Sequence, residues 1–219
     1  MSRESNHGGM VPATVSLGPG DIVSGRPFTA VEMTARDLGI LHGILADVRS
    51  VVVEVEEGVR VLEPYQKLAW RARGLTHRVL ICDVERLRTH PGPCVVGFFG
   101  DKRPDADPWE LEEANTEIVA EFPKYPGILA YASVELPDER WANLVLHDDP
   151  VDVQFWRTSE MHKRAVDMLS PQHYFNVRIH NGRLASALFD RPRIVISKTK
   201  YFDFSGSEAW RAERELVLS

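Results

Sequence analysis

Between Cys94 and His180 the apolar residues switch between two spacings, and the order of the switches restricts the chain to a few topologies. "CVVGFFGDK" is a short apolar run of strand character. In "DPWELEEANTEIVAEF", Asp107 stands at an N-cap and Pro108 at N1, and Leu111, Ala114, Ile118 and Phe122 fall on one helical stripe. "GILAYASVEL" and "WANLVLHD" read as strands on either side of a Pro137-Asp138-Glu139-Arg140 turn, and a helix opens near Pro150. "HYFNVRIH" is again extended and leads to Asn181-Gly182, a two-residue hairpin signal. The order is therefore β-α-β-β-α-β.

That order predicts an α+β fold of the ferredoxin-like, split βαβ kind, an antiparallel sheet with two helices on one face. Alternation then sorts the strands. Ala142, Leu144 and Leu146 should face the two helices, as should Phe175, Val177 and Ile179, which leaves Asn143, His147, Asn176 and Arg178 for a second sheet or for solvent. The core domain is expected over residues 93–204, with "RIVISKTKYFDF" as its edge strand and 205–219 as a tail that docks elsewhere.

Ahead of it, residues 27–92 read as a helix-rich extension packed on the domain. Pro27 to about Arg49 is helical, with Thr29 as a cap and Leu38, Leu41, Ile44, Leu45 and Val48 on one side. The next stretch has two readings. Val51, Val53 and Val55 alternate before Gly58, as in a hairpin, while Val48, Val52, Val55, Val59 and Leu62 keep the 3,4 spacing of a long helix. Valine density and Gly58 favour the hairpin. "PYQKLAWRARG" fits a short helix, and "HRVLICD" a strand. Residues 1–26, rich in Gly, Ser and Pro, form a flexible lead in which His7 is solvated.

Within "QFWRTSEMHKRAV" a histidine falls on the apolar stripe: Phe155, His162, Val166 and Leu169 share it, with Met161, Ala165 and Met168 beside it. An inward imidazole has three uses. It ligates a metal or heme, it moves protons, or it is a core histidine whose ring nitrogens find backbone partners.

Trp141 at the start of the third strand, the "FWRTSEMHKRA" helix and the "YFNVRIHNG" strand resemble the dimeric α+β barrel superfamily. That group includes antibiotic-biosynthesis monooxygenases, heme-degrading monooxygenases, EthD-like proteins and small polyketide cyclases. The resemblance spans about residues 93–186. It implies a homodimer formed through the sheet and a small-molecule enzyme, a cofactor-independent or heme-assisted oxygenase or a cyclase-like catalyst. In the heme-degrading members the iron-binding histidine lies about one helical turn after His162, where this chain has Val166.

The expected site is a pocket between sheet and helices in which Trp156, Phe99, Tyr131 and Trp141 surround an apolar or planar ligand. His162 would be its catalytic group. The cofactor is left open, heme included. No metal is expected, because "HDDP" at His147 to Pro150 reads as a helix cap, and Ser159 has no Gly-x-Ser-x-Gly elbow around it. A noncatalytic ligand-binding or stress-type barrel dimer, with His162 structural, is the alternative. RNA binding, which uses the same topology, is disfavoured by 26 basic against 32 acidic residues and a net charge of -6. Cys82 and Cys94 read as core fillers in a reducing, cytoplasmic setting, and neither a secretory signal nor a membrane span is visible.

Overall fold

The computed structural model describes residues 13–137 and 140–219. In chain order the elements are β1 (Val15–Leu17), α1 (Val31–Glu56), β2 (Lys67–Ala72), β3 (Leu75–Ile81), α2 (Val84–Thr89), β4 (Cys94–Lys102) and α3 (Pro108–Ala120). There follow β5 (Ile128–Glu135), β6 (Trp141–His147), α4 (Pro150–Trp156), α5 (Glu160–Arg164), a π-helical turn (Ala165–Leu169), α6 (Ser170–His173), β7 (Tyr174–Leu184), β8 (Ile194–Asp203) and β9 (Trp210–Leu218). The fold is α+β. Its nine strands make one sheet, ordered β1-β9-β8-β7-β4-β6-β5-β3-β2, antiparallel throughout apart from the pairing of β1 with β9. Among the described residues no helix is long and apolar enough to cross a membrane.

The main core lies between α1 and the sheet. Leu38, Leu41, Ile44, Leu45, Val48, Val51 and Val52 of the helix bury against Val95 and Phe99 of β4 and Ala142, Leu144 and Leu146 of β6. Contact is close at Gly97, where an added Cβ would lie 2.7 Å from a Leu41 methyl. A helix whose apolar stripe is this long needs a wholly apolar sheet face beneath it, and β4, β5 and β6 supply one. The expected facing is thereby reversed for β6, while on β7 Val177 and Ile179 face the α3 to α6 side and Arg178 faces away from it, as expected. Ala142, Leu144 and Leu146 meet α1, whereas Asn143, Val145 and His147 point to the side of α3 to α6. The face expected to pair with a second sheet in a homodimer is covered by α1 of the same chain.

Several other expectations change for identifiable reasons. Residues 51–56 continue α1 and are not a hairpin; burial of Val51 and Val52 outweighs valine's strand preference, and Gly58, at φ +68°, follows the helix end. "KLAWRA" is β2, not a helix, paired with β3 across Arg73 and Gly74, both at positive φ. Thr29 is not the cap of α1; its hydroxyl donates to Arg26 O and accepts from Val23 N. Asn181-Gly182 makes no turn but lies inside β7, at a register shift against β8. There an added Cβ would sit 2.1 Å from the Val195 carbonyl oxygen, so glycine serves close strand approach.

The ends differ as well. β8 is not an edge strand, because "WRAERELVL" of the expected tail is β9, hydrogen-bonded to it. Part of the expected flexible lead is β1, and Leu17 packs with Phe28, Tyr201 and Ala212. The rest of that lead, His7 included, lies outside the described residues, as do Asp138 and Glu139 of the expected turn.

Candidate functional site

The sheet face opposite α1 carries a cavity of about 400 Å³. Its floor is Val96 and Phe98 of β4, Tyr131 of β5, Asn143, Val145 and His147 of β6, and Val177 and Ile179 of β7. Ala114, Asn115 and Ile118 of α3 and Val153 and Trp156 of α4 form part of the opposite wall, and His162 of α5 completes it. The lining is mostly apolar with a few converging polar groups, which suits a small organic ligand.

The helix that holds His162 is not continuous. It breaks after Trp156, and Ser159 caps α5, its side chain accepting from the His162 backbone N–H at 3.1 Å while its hydroxyl donates to Glu121. The break explains why the apolar stripe read across it fails: Phe155 and Met168 are exposed, while His162 turns to the cavity. Ser159 thus orients the segment that presents His162.

An aromatic row backs the imidazole. His162 meets Trp156 edge-on at 5.3 Å between ring centroids, Trp156 meets Phe122 at 5.4 Å, and Phe122 meets Tyr131 at 5.8 Å. The Tyr131 hydroxyl donates to Asn115 Oδ1 at 2.8 Å, with Asn143 Oδ1 at 3.3 Å, and burial raises its pKa above the usual phenol value.

Two imidazoles share this space. Burial, then the Arg157 guanidinium, then His162 itself lower the His147 pKa from 6.5 to about 4. Burial and then Arg157 bring His162 also to about 4, against a small opposing effect of Asp167. Both rings are therefore neutral at pH 7. Among the described residues neither ring makes a hydrogen bond, and Nδ1 of His147, like Nε2 of His173, is buried without a hydrogen-bond partner. The other described histidines behave differently. His42 accepts from Ile194 N, His77 meets Asp47, His90 accepts from Gly92 N, His173 meets Leu169 O, and His180 bridges Thr199 and Asp37.

Of the expected site residues, His162, Trp156 and Tyr131 are brought together. Phe99 is not; it faces α1, 2% exposed, with the His180 ring edge-on at 5.4 Å. Trp141 lies on the cavity's side of the sheet, outside its lining, with the Arg78 guanidinium 4.2 Å above its ring. His147, Asn143 and Arg157 were missed. The signal that would have found the first two is the length of the α1 stripe, which claims the all-apolar sheet face and leaves the mixed one for the cavity.

"HDDP" behaves as a cap. Asp149 accepts from Val151 N at 2.6 Å and Asp152 N at 3.1 Å, and Asp148 pairs with Arg86, while His147 turns to the cavity. Asp148, Asp149 and Asp152 do bring their carboxylates within 4.8 Å of one another, with Asp149 exposed, the other two half-buried and two of the three so engaged. Both cysteines are free, and burial pushes the Cys82 thiol up to about 12.

No family model matches the chain. No curated protein matches it either. Among solved structures, protein SO0527 from Shewanella oneidensis is similar over 43% of this chain and 92% of that chain, at 11% identity and a TM-score of 0.38.

Proposed function

We propose that the chain is a small-molecule enzyme whose cavity binds a planar, apolar organic molecule, on which His147 and His162 move a proton, as in a cofactor-independent oxygenase or a cyclase-like catalyst. One observation carries the reading: among the described histidines, the two whose rings make no hydrogen bond or ion pair, His147 and His162, both line the cavity. Each of the others is held through at least one ring nitrogen, as a structural histidine is, and an imidazole kept for a ligand is not. The strand order β7-β4-β6-β5 supports a ferredoxin-like unit, and α1 occupies the face that a barrel partner would use. The two free thiols favour a reducing, cytoplasmic setting. Heme asks for an unpaired neutral imidazole in an apolar wall, which His162 offers, so hemin belongs among the ligands tested.

A noncatalytic binder is the second reading, favoured by the depth of the depression. An imidazole held at about 4 accepts a hydrogen bond far more readily than a proton. Deuterium exchange at the acidic C–H of a bicyclic aromatic ketone, 2-tetralone, followed by NMR with the full chain, separates the two. The enzyme reading expects acceleration that falls by about 10²- to 10⁴-fold in His162→Gln and His147→Gln with melting little changed. Binding without acceleration would leave the binder. A lowered melting temperature with unchanged binding would make His162 structural.

A further inference from the structure

The cavity holds a charge that the fold does not balance. Arg157 lies between α4 and α5, lines the cavity and is half-buried. Its contacts are two neutral oxygens, Gln154 Oε1 at 3.2 Å and Asn181 Oδ1 at 3.3 Å, with no carboxylate among the described residues. Arg211, on β9, also lines the cavity; its Nε is buried with no acceptor, and it makes no ion pair among the described residues.

The other buried arginines show what a structural role looks like in this protein. Arg178 is held by both oxygens of Asp37, and Arg214 by three carbonyl oxygens and the Tyr201 hydroxyl. A guanidinium taken out of water without such partners is a standing cost, which an anion placed against it removes. Of the residues that line the cavity only Asp167 is acidic, and it is exposed at the rim.

Resting on the reading of the cavity as a ligand site, we infer that its ligand is an organic anion: a flat apolar body carrying a carboxylate, or an enol or phenol that ionises there, with the charge seated on Arg157. The apolar body lies along the row His162, Trp156, Phe122 and Tyr131. A planar fork suits Arg157 to a carboxylate, which it can engage through two parallel N–H donors. Anion binding has a further effect. The guanidinium field is one of the causes that hold His147 and His162 down, so an anion against Arg157 cancels part of it and makes both imidazoles better bases while the ligand is present.

The test uses two probes of equal shape, 2-naphthoate and its uncharged amide 2-naphthamide, titrated into the full chain by calorimetry. Naphthoate should bind about ten- to hundredfold more tightly, and Arg157→Gln should abolish that preference while leaving naphthamide binding intact. Because Arg157 is underpaired, the same variant should melt no lower than the parent; a structural arginine would behave otherwise. Equal binding of the two probes, or a naphthoate preference that survives Arg157→Gln, overturns the anion inference and leaves the cavity reading intact. Binding of neither probe overturns both.

Discussion

The carboxylate of Asp37, in the second turn of α1, accepts from Arg178 Nε at 2.6 Å and Nη2 at 3.2 Å, joining residues 141 positions apart inside the core. His180 adds a third contact to the same oxygen at 3.0 Å. These groups face α1, on the side of the sheet away from the cavity, and burial is compensated by pairing. Desolvation pushes the Asp37 pKa up, and hydrogen bonds with His180 and then Arg178 more than offset it and keep it low.

Breaking this pair should cost far more than replacing it. Asp37→Asn leaves the guanidinium underpaired and is expected to lose about 3 to 5 kcal/mol in urea unfolding. A combined Asp37→Leu and Arg178→Met change should recover most of that loss. If the single and combined variants unfold alike, the pair is not what fastens α1 to β7.

The two cavity histidines give stability a pH dependence of definite sign. In the unfolded chain they titrate near 6.5, and in the folded chain near about 4. Between those values the unfolded state binds more protons, so stability is fully present above about pH 6.5 and is lost as the pH falls toward 4. Each ring contributes on the order of 2 to 3 kcal/mol over that window. The double change His147→Gln and His162→Gln should flatten the thermal-melting profile between pH 6.5 and 4 relative to the parent.

Arg214 should prove to be the fastener of the N-terminal arm. Its guanidinium is fully buried and donates to the carbonyls of Gly18, Asp21 and Thr29. Arg214→Met removes these bonds at once, and hydrogen exchange in residues 18–29 is expected to accelerate while the amides of β4 and β6 stay protected. Uniform acceleration would mean that the arm and the sheet open together.

Two glycines should differ in cost. Gly97→Ala crowds a Leu41 methyl, the end of a flexible side chain, whereas Gly182→Ala drives a Cβ into the Val195 backbone. Gly182→Ala should therefore lower the denaturation midpoint more than Gly97→Ala does. Equal losses would place strain at neither glycine.

The same glycine marks where sequence reading ran short. From Cys94 to His180 the element order was legible because each element buries a face of its own period, and Asp107, Pro108, Asp149 and Pro150 signal the starts of α3 and α4. Asn181-Gly182 has the local chemistry of a turn, and only the partner strand shows that the glycine serves a bulge. β2 leaves one face exposed and the other only half-buried, so it lacks a fully apolar side, and its helix-like flanks prevailed. For the cavity, His162 was legible as an ionisable group among apolar positions, and Trp156 and Tyr131 as aromatics on the elements around it. His147 was hidden because its side of the sheet is decided by α1, a helix about 90 residues away in sequence.

The wall that carries His162 has one break: α4 ends at Trp156, and beyond Ser159 the backbone stays helical from Glu160 to His173, through α5, the π-helical turn and α6. Neither helical stretch is long enough to be stable alone, and they depend on the Asp149 and Ser159 caps and on the aromatic row behind them. The sheet is hydrogen-bonded continuously through nine strands, whereas this wall has a joint between Trp156 and Glu160. Movement at that joint would widen the cavity without parting a strand from its neighbour, so the passage of molecules in and out would not draw on the pairing that keeps the protein folded.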